Sequence, residues 1–247
     1  MTLLLLAGTS EARQLAAILA AEGHTAIASL AGATRSPAPL ALPTRHGGFG
    51  GTDGFRAFVA DHRIGAVIDA THPFATRITQ RTHDVCVRMG IPLLRLERPA
   101  WVQGAGDRWI YLEDEGQGIE RIPEGAVVFL ATGRQSLSAW TGLRAGQVFL
   151  RVIDPPAGPF PLPGGFVTGR PPFDLAAETE LFERLGVTHL VAKDSGSAEA
   201  RPKLDAARNL GIDVLMLRRP ARPSGLLVVD TVEEAADWAR RLPFRSG

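Results

Sequence analysis

One cysteine, Cys86, stands in the 247 residues, which excludes an internal disulfide and any site built from several thiolates, and suits a reducing compartment. Tyrosine is as scarce. The only one, Tyr111, has Glu115 four residues on, where a short-chain dehydrogenase needs the lysine of a Tyr-x-x-x-Lys pair, so that chemistry is excluded. The histidines His24, His46, His62, His83 and His189 show no H-x-x-x-H spacing, and no metal site is expected; they read as surface or packing residues. Neither sign of charge prevails. With 27 Lys+Arg against 26 Asp+Glu the net charge is +1, which leaves no basic field for collecting nucleic-acid phosphates, so anion recognition has to be local. A long apolar run is also missing. The opening Met1–Gly8 lacks a basic leader and meets Ser10-Glu11-Ala12-Arg13 too soon for a signal peptide or a membrane span. It reads as a buried first strand, and a cytoplasmic protein without membrane or nucleic-acid partners is expected.

What is present is an ordinary globular composition, 45% hydrophobic and 21% charged, in a length that suits two small α/β domains better than one. Short apolar runs alternate with helical patterns from the first residue, a βαβ rhythm that implies mainly parallel sheets covered by helices. The expected fold class is α/β, two Rossmann-like lobes with a cleft between them. Strands are expected at 3–7, 25–30, 66–70 and 91–96, with helices at 11–22, 55–62 and 75–89. Glu97-Arg98-Pro99-Ala100-Trp101 reads as the crossing, giving lobes 1–98 and 99–247. In the second lobe strands are expected at 127–131, 148–153, 188–192, 213–217 and 226–229, and helices at 134–142, 174–185, 198–210 and 231–241. The proline- and glycine-rich segment 154–165 is expected to be a loop.

Three strand ends carry chemistry. The first strand runs into Gly8-Thr9-Ser10-Glu11 and a helix, so amides at a helix start face outward from the carboxyl edge of the sheet, where phosphates bind. One glycine instead of three leaves a second reading open, with Thr9 or Ser10 only capping the helix. After the second strand comes Ser29-Leu30-Ala31-Gly32-Ala33-Thr34-Arg35, with no carboxylate to grip a ribose. Arg35, with Ser29 or Thr34, can instead pair with a 2′-phosphate, which points to NADP over NAD; otherwise Arg35 is a solvent-exposed loop residue. The third strand, 66–70, carries Asp69 and empties into Thr71-His72-Pro73-Phe74, a loop expected to border a nicotinamide, with His72 as a candidate proton donor and Asp69 alternatively a helix cap.

The chain has two lysines, and both fall in one stretch: Lys193, directly after the strand 188–192 in Lys193-Asp194-Ser195-Gly196, and Lys203 on the next helix. Two ammonium groups near a helix start suit carboxylates. Gly133-Arg134 and Arg151 add positive charge at neighbouring strand ends.

Taken together, Gly8-Thr9-Ser10-Glu11-Ala12-Arg13, Asp69-Ala70-Thr71-His72-Pro73-Phe74-Ala75, Gly133-Arg134 and Lys193-Asp194-Ser195-Gly196 resemble the precorrin-6A reductase family, and the likeness extends to Lys203-Leu204-Asp205-Ala206-Ala207. Two positions depart from the family pattern, Asp194 where Asn is usual and Arg170-Pro171-Pro172-Phe173 in place of a Gly-Pro-Phe-type turn. The resemblance implies an oxidoreductase of cobalamin biosynthesis that reduces one double bond of precorrin-6A to give precorrin-6B, with the first lobe binding NADPH and the second the tetrapyrrole. It implies cofactor contacts from Gly8, Thr9, Ser10, Glu11, Ser29, Thr34, Arg35, Asp69 and Thr71. Substrate contacts would come from His72, Pro73, Arg134, Arg151, Lys193, Ser195, Gly196 and Lys203, and a monomer is expected. Two other readings compete: a cofactor-free tetrapyrrole enzyme of the uroporphyrinogen-III synthase type, and a non-enzymatic NADP-binding module, which would leave the Lys193 to Lys203 cluster unexplained.

Overall fold

The computed structural model describes residues 1–32, 39–154 and 158–242. In chain order the elements are β1 (Thr2–Leu6), α1 (Ser10–Ala21), β2 (Ala26–Leu30), β3 (Thr44–His46), α2 (Gly51–Asp61), β4 (Ile64–Asp69), α3 (Thr76–Met89), β5 (Leu93–Leu96), β6 (Trp109–Leu112), α4 (Glu115–Arg121) and β7 (Val127–Ala131). Then follow β8 (Gln147–Val152), β9 (Gly164–Thr168), α5 (Leu175–Leu185), β10 (His189–Lys193), α6 (Pro202–Asn209), β11 (Asp213–Leu217), β12 (Leu227–Val229) and α7 (Val232–Arg240). The chain folds into two compact units, the first made of residues up to Pro99 together with those from Ala221 on, the second of Ala100–Pro220.

The first unit holds a six-stranded sheet in the order β12-β5-β4-β1-β2-β3, and every pairing in it is parallel. β1 is four leucines in succession, Leu3 to Leu6, because a parallel strand covered on both faces needs apolar side chains pointing both ways. Leu3 and Leu5 join Leu15, Leu19 and Ala235 on one face, while Leu4 and Leu6 join Phe49, Phe55 and Val59 on the other. The strand order reverses between β1 and β4, and such a reversal opens a crevice at the carboxyl edge of a doubly wound sheet.

The last segment corrects the expected second lobe of 99–247, which ends at Pro220. β12 pairs with β5, Leu227 beside Leu94 and Val229 beside Leu96. α7 then packs its small stripe of Ala235, Ala236 and Ala239 into the core shared with α1. Periodicity identifies this strand and helix, but which sheet edge receives them depends on partners more than 130 residues away, about which local pattern is silent.

The second unit is again a six-stranded parallel sheet, in the order β6-β11-β10-β7-β8-β9, with its reversal between β7 and β10. Phe129, Leu190, Ala192 and Met216 face Phe182 and Leu204 of α5 and α6. Trp140 is fully buried, and a Cβ on Gly118 would stand 2.6 Å from its ring, so α4 carries glycine there to let the indole in. The helix expected at 134–142 is a 3₁₀ turn, Arg134–Trp140, and that at 198–210 is split into a turn at Ala198–Ala200 and α6. Among the described residues no helix is long and apolar enough to cross a membrane.

Candidate functional site

At the reversal in the first sheet the two loops that follow β1 and β4 are tied together. Thr9 caps α1 by accepting the Ala12 amide at 3.2 Å, and its hydroxyl donates to the Ala70 carbonyl at 2.9 Å. Both meanings of Thr9 thus share one place: it is a helix cap, and it stands where the amides of α1 open toward the crevice. Among the described residues, its chain neighbours aside, no heavy atom lies within 4 Å of where a Cβ on Gly8 would stand, which leaves room above the end of β1. Ser10 donates to the Glu11 carboxylate, which also pairs with Arg98.

The carboxylate of Asp69 is buried, 1% exposed, and committed to the protein. One oxygen accepts the Thr71 amide at 3.0 Å and the Thr71 hydroxyl at 2.7 Å, the other accepts the Thr79 hydroxyl at 2.7 Å, and Arg95 lies 2.8 Å away. Arg95 in turn donates through Nε and one terminal nitrogen to Glu97, and through its other donors to Thr71, Thr79 and the His72 carbonyl. Glu97 also receives Arg222, at 2.9 and 2.6 Å. Burial alone would push the Glu97 carboxyl up, but Arg95 and Arg222 outweigh it and the net shift is downward. Asp69 therefore stands behind the crevice as an anchor for the Thr71-His72 loop. Arg95 and Glu97 escaped the sequence reading, although two charges alternating with leucine in Leu94-Arg95-Leu96-Glu97 were the available signal of a buried pair.

His72 accepts the Phe74 amide at Nδ1, 3.2 Å, so the neutral ring carries its hydrogen on Nε2. Pro73 is buried and stiffens the turn. Ser29, at the carboxyl end of β2, is buried and accepts a hydrogen bond from Arg45 of the adjoining β3 at 2.8 Å. Thr34 and Arg35 lie outside the described residues.

At the reversal in the second sheet, Lys193 at the end of β10 donates to the carbonyl of Thr132, just beyond β7, at 2.8 Å, which brings Lys193-Asp194-Ser195-Gly196 beside Gly133-Arg134. Burial lowers the Lys193 ammonium from its ordinary value, and Glu115 opposes that shift. Arg134 is exposed. Ser195 is buried and accepts the Ser197 amide, while the Asp194 carboxylate accepts the Trp101 amide at 3.0 Å.

Arg151 lies on β8, and Lys203 stands at the start of α6 against Trp101, whose amide the Asp194 carboxylate accepts. Arg151 pairs with Glu178 of α5 at 2.8 Å and lies over the rings of Phe129 and Phe173, 4.8 and 4.2 Å from their centroids. Lys203 is buried against Trp101, donates to the Ala200 carbonyl at 2.6 Å, and is pushed down to about 7, chiefly by burial. Glu178, unmarked in the sequence, is the carboxylate that pairs with Arg151 and acts on Lys203.

The family described as Precorrin-6x reductase CbiJ/CobK matches residues 2–240. A Precorrin-6A reductase of Rhodobacter capsulatus is 41% identical over 96% of this chain and 94% of its own, and one of Rhodococcus erythropolis is 43% identical over 98% and 99%. A Cobalt-precorrin-6A reductase of Priestia megaterium is 27% identical over 94% and 95%. A solved structure titled CobK precorrin-6A reductase superposes with a TM-score of 0.93 at 40% identity, over 99% of this chain and 98% of that one.

Proposed function

The chain belongs to the Precorrin-6x reductase CbiJ/CobK family, and from that premise we propose that it reduces a double bond of precorrin-6A with NADPH, giving precorrin-6B in cobalamin biosynthesis. It is an oxidoreductase acting on a CH–CH bond. One observation carries the reading: family similarity spans residues 2–240, and the motifs that bear it sit at the carboxyl ends of strands flanking the reversals of both sheets. Family membership displaces the synthase-type and sensor readings. The metal-free macrocycle is the proposed substrate, because relatives named for it reach 41% and 43% identity while the one named for the cobalt form stands at 27%.

The residues present fit a dinucleotide. The open space above Gly8, the outward amides of α1 and the absence of a carboxylate after β2 suit a pyrophosphate and a 2′-phosphorylated ribose. Gly8, Thr9, Ser10 and Glu11 would hold the phosphates, Ser29, Thr34 and Arg35 the 2′-phosphate, and Thr71, braced by Asp69, the nicotinamide end. When bound, the nucleotide supplies a hydride to a ring carbon. His72 is the proposed source of the proton added beside it, its Nε2–H presented by a ring fixed through Nδ1. Lys193, Arg134, Ser195 and Gly196 would orient the acidic side chains of the macrocycle. Arg151, paired with Glu178, and Lys203, whose ammonium burial pushes down to about 7, would add cationic character for the acidic substrate below that pH. Positioning of two reactants, more than acid–base power, is what this set of residues can contribute.

The test is a titration of the purified protein with NADPH and NADH, read by nicotinamide fluorescence, in the wild type and in Arg35→Ala. It is followed by incubation of precorrin-6A with NADPH and mass analysis of the product. Preference for NADPH, its loss in Arg35→Ala, and a product heavier by two hydrogens are expected. Failure to bind either nucleotide sinks the reading.

A further inference from the structure

Two arginines of the first unit, Arg45 and Arg81, gather around aromatic rings, and among the described residues neither forms an ion pair with an acid. The Arg45 guanidinium lies 4.0 Å from the centroid of Phe49 and 5.3 Å from that of Phe58. Arg81 of α3 lies 5.5 Å from the Phe49 ring and 5.4 Å from that of Phe55, so that one phenyl group carries two cations. Arg77, one turn before Arg81, adds its charge: burial first and Arg77 second lower the Arg81 guanidinium from its ordinary value. Burial alone lowers Arg45. No carboxylate contributes to either. Several other guanidinium groups of this unit do find acids, as buried Arg95 finds Asp69 and Glu97, and Arg240 finds Glu22. The Nε of Arg81 is buried with no hydrogen-bond partner among the described residues.

Partly desolvated cations held together without an acid are costly unless an anion joins them. Location says which anion. Arg45 is the register partner of Ser29, the last but one residue of β2, and donates to its hydroxyl at 2.8 Å. The carboxyl end of the second strand is where doubly wound folds meet the adenosine ribose and any phosphate on it. The outer edge of Arg45 is turned toward solvent, where it donates to the Gly48 carbonyl at 3.0 Å.

We propose that Arg45 and Arg81, both held against the Phe49 ring, form an arm of the 2′-phosphate site and help set the preference for NADPH over NADH. This rests on the NADPH reading above and goes beyond it, since Arg35 there acts from the segment between β2 and β3. A phosphate dianion is better met by two or more guanidinium groups than by one, and Phe49 keeps a pair of them close without letting them bond to each other.

The experiment measures the dissociation constants of NADPH and NADH by nicotinamide fluorescence in the wild type, Arg45→Met, Arg81→Gln and Arg35→Ala. Charge-assisted contacts to phosphate predict a loss of NADPH affinity of roughly 10-fold or more in Arg45→Met and a smaller loss in Arg81→Gln, with NADH changed by less than about 2-fold. Unchanged NADH binding doubles as the check that a variant is folded. If Arg45→Met loses both nucleotides, Arg81→Gln decides by the same ratio, because that guanidinium makes no hydrogen bond to the described chain. A wild-type preference that survives in Arg45→Met and Arg81→Gln but disappears in Arg35→Ala overturns this proposal and leaves the earlier reading standing. A wild type that binds neither nucleotide, or both equally, overturns the two together.

Discussion

The guanidinium of Arg95 and the carboxylate of Asp69 meet at 2.8 Å with each side chain 1% exposed, and every other donor of that arginine is taken by Glu97, Thr71, Thr79 or the His72 carbonyl. Removing one partner leaves buried charge without compensation. Arg95→Met is expected to cost about 3–5 kcal/mol of unfolding free energy, the range for breaking a buried ion pair from one side. Urea denaturation measures it; a loss under about 1 kcal/mol would mean that Asp69 and Glu97 find other partners.

Gly8 combines a positive φ of +156° with room beside it, since among the described residues other than its chain neighbours nothing lies within 4 Å of a Cβ there. Gly8→Val is expected to lower nucleotide affinity at least about 10-fold, and to cost about 1–3 kcal/mol of stability through the strained backbone, read by urea denaturation. Strong nucleotide binding in this variant would place the phosphates elsewhere.

Lys193 bonds to the Thr132 carbonyl across the reversal of the second sheet. In Lys193→Met the substrate loses an orienting cation while the hydride donor is untouched. KM for the tetrapyrrole is therefore expected to rise about 10-fold or more with kcat changed less. A fall in kcat alone, at constant KM, would assign Lys193 to the chemical step.

Lys203 gives a pH signature. Its ammonium, ordinarily at 10.5, is pushed down to about 7 in the folded chain, so between these values the unfolded state holds a proton that the folded state has released. Stability contributed by this group therefore rises with pH from about 7 to about 10.5 and is flat below. Denaturant midpoints at pH 7 and pH 9.5 are expected to rise in the wild type more than in Lys203→Met. Equal slopes would show that the ammonium stays charged throughout.

Legibility in the sequence followed locality. Leu3 to Leu6 and Val127 to Ala131 announce strands by themselves, and each site motif could be found because it follows such a run. β3, only Thr44-Arg45-His46, has no apolar pattern; it is a strand because Ser29 pairs with Arg45. β9 begins inside a glycine- and proline-rich stretch and is defined by β8. The same physics hid the anchor of the Thr71-His72 loop, since Glu97 and Arg222 are 125 residues apart and no spacing rule joins them. Arg45 passed unnoticed for a further reason: its meaning lies in lacking an acid, and only folded neighbours reveal that lack.

The return of the chain to its first unit bears on synthesis. A ribosome releases the N-terminal end first, and domains commonly fold in that order. Here the strand β12 and the helix α7 that complete the first sheet are made after all of Ala100–Pro220. The inserted unit has its whole sheet in hand while the earlier one still exposes the edge of β5 and the apolar flank of α1. An order of birth opposite to the order of completion follows, and a nascent chain stalled near residue 220 would carry a finished second unit and an open first one. Such a chain would be the species for a chaperone to hold.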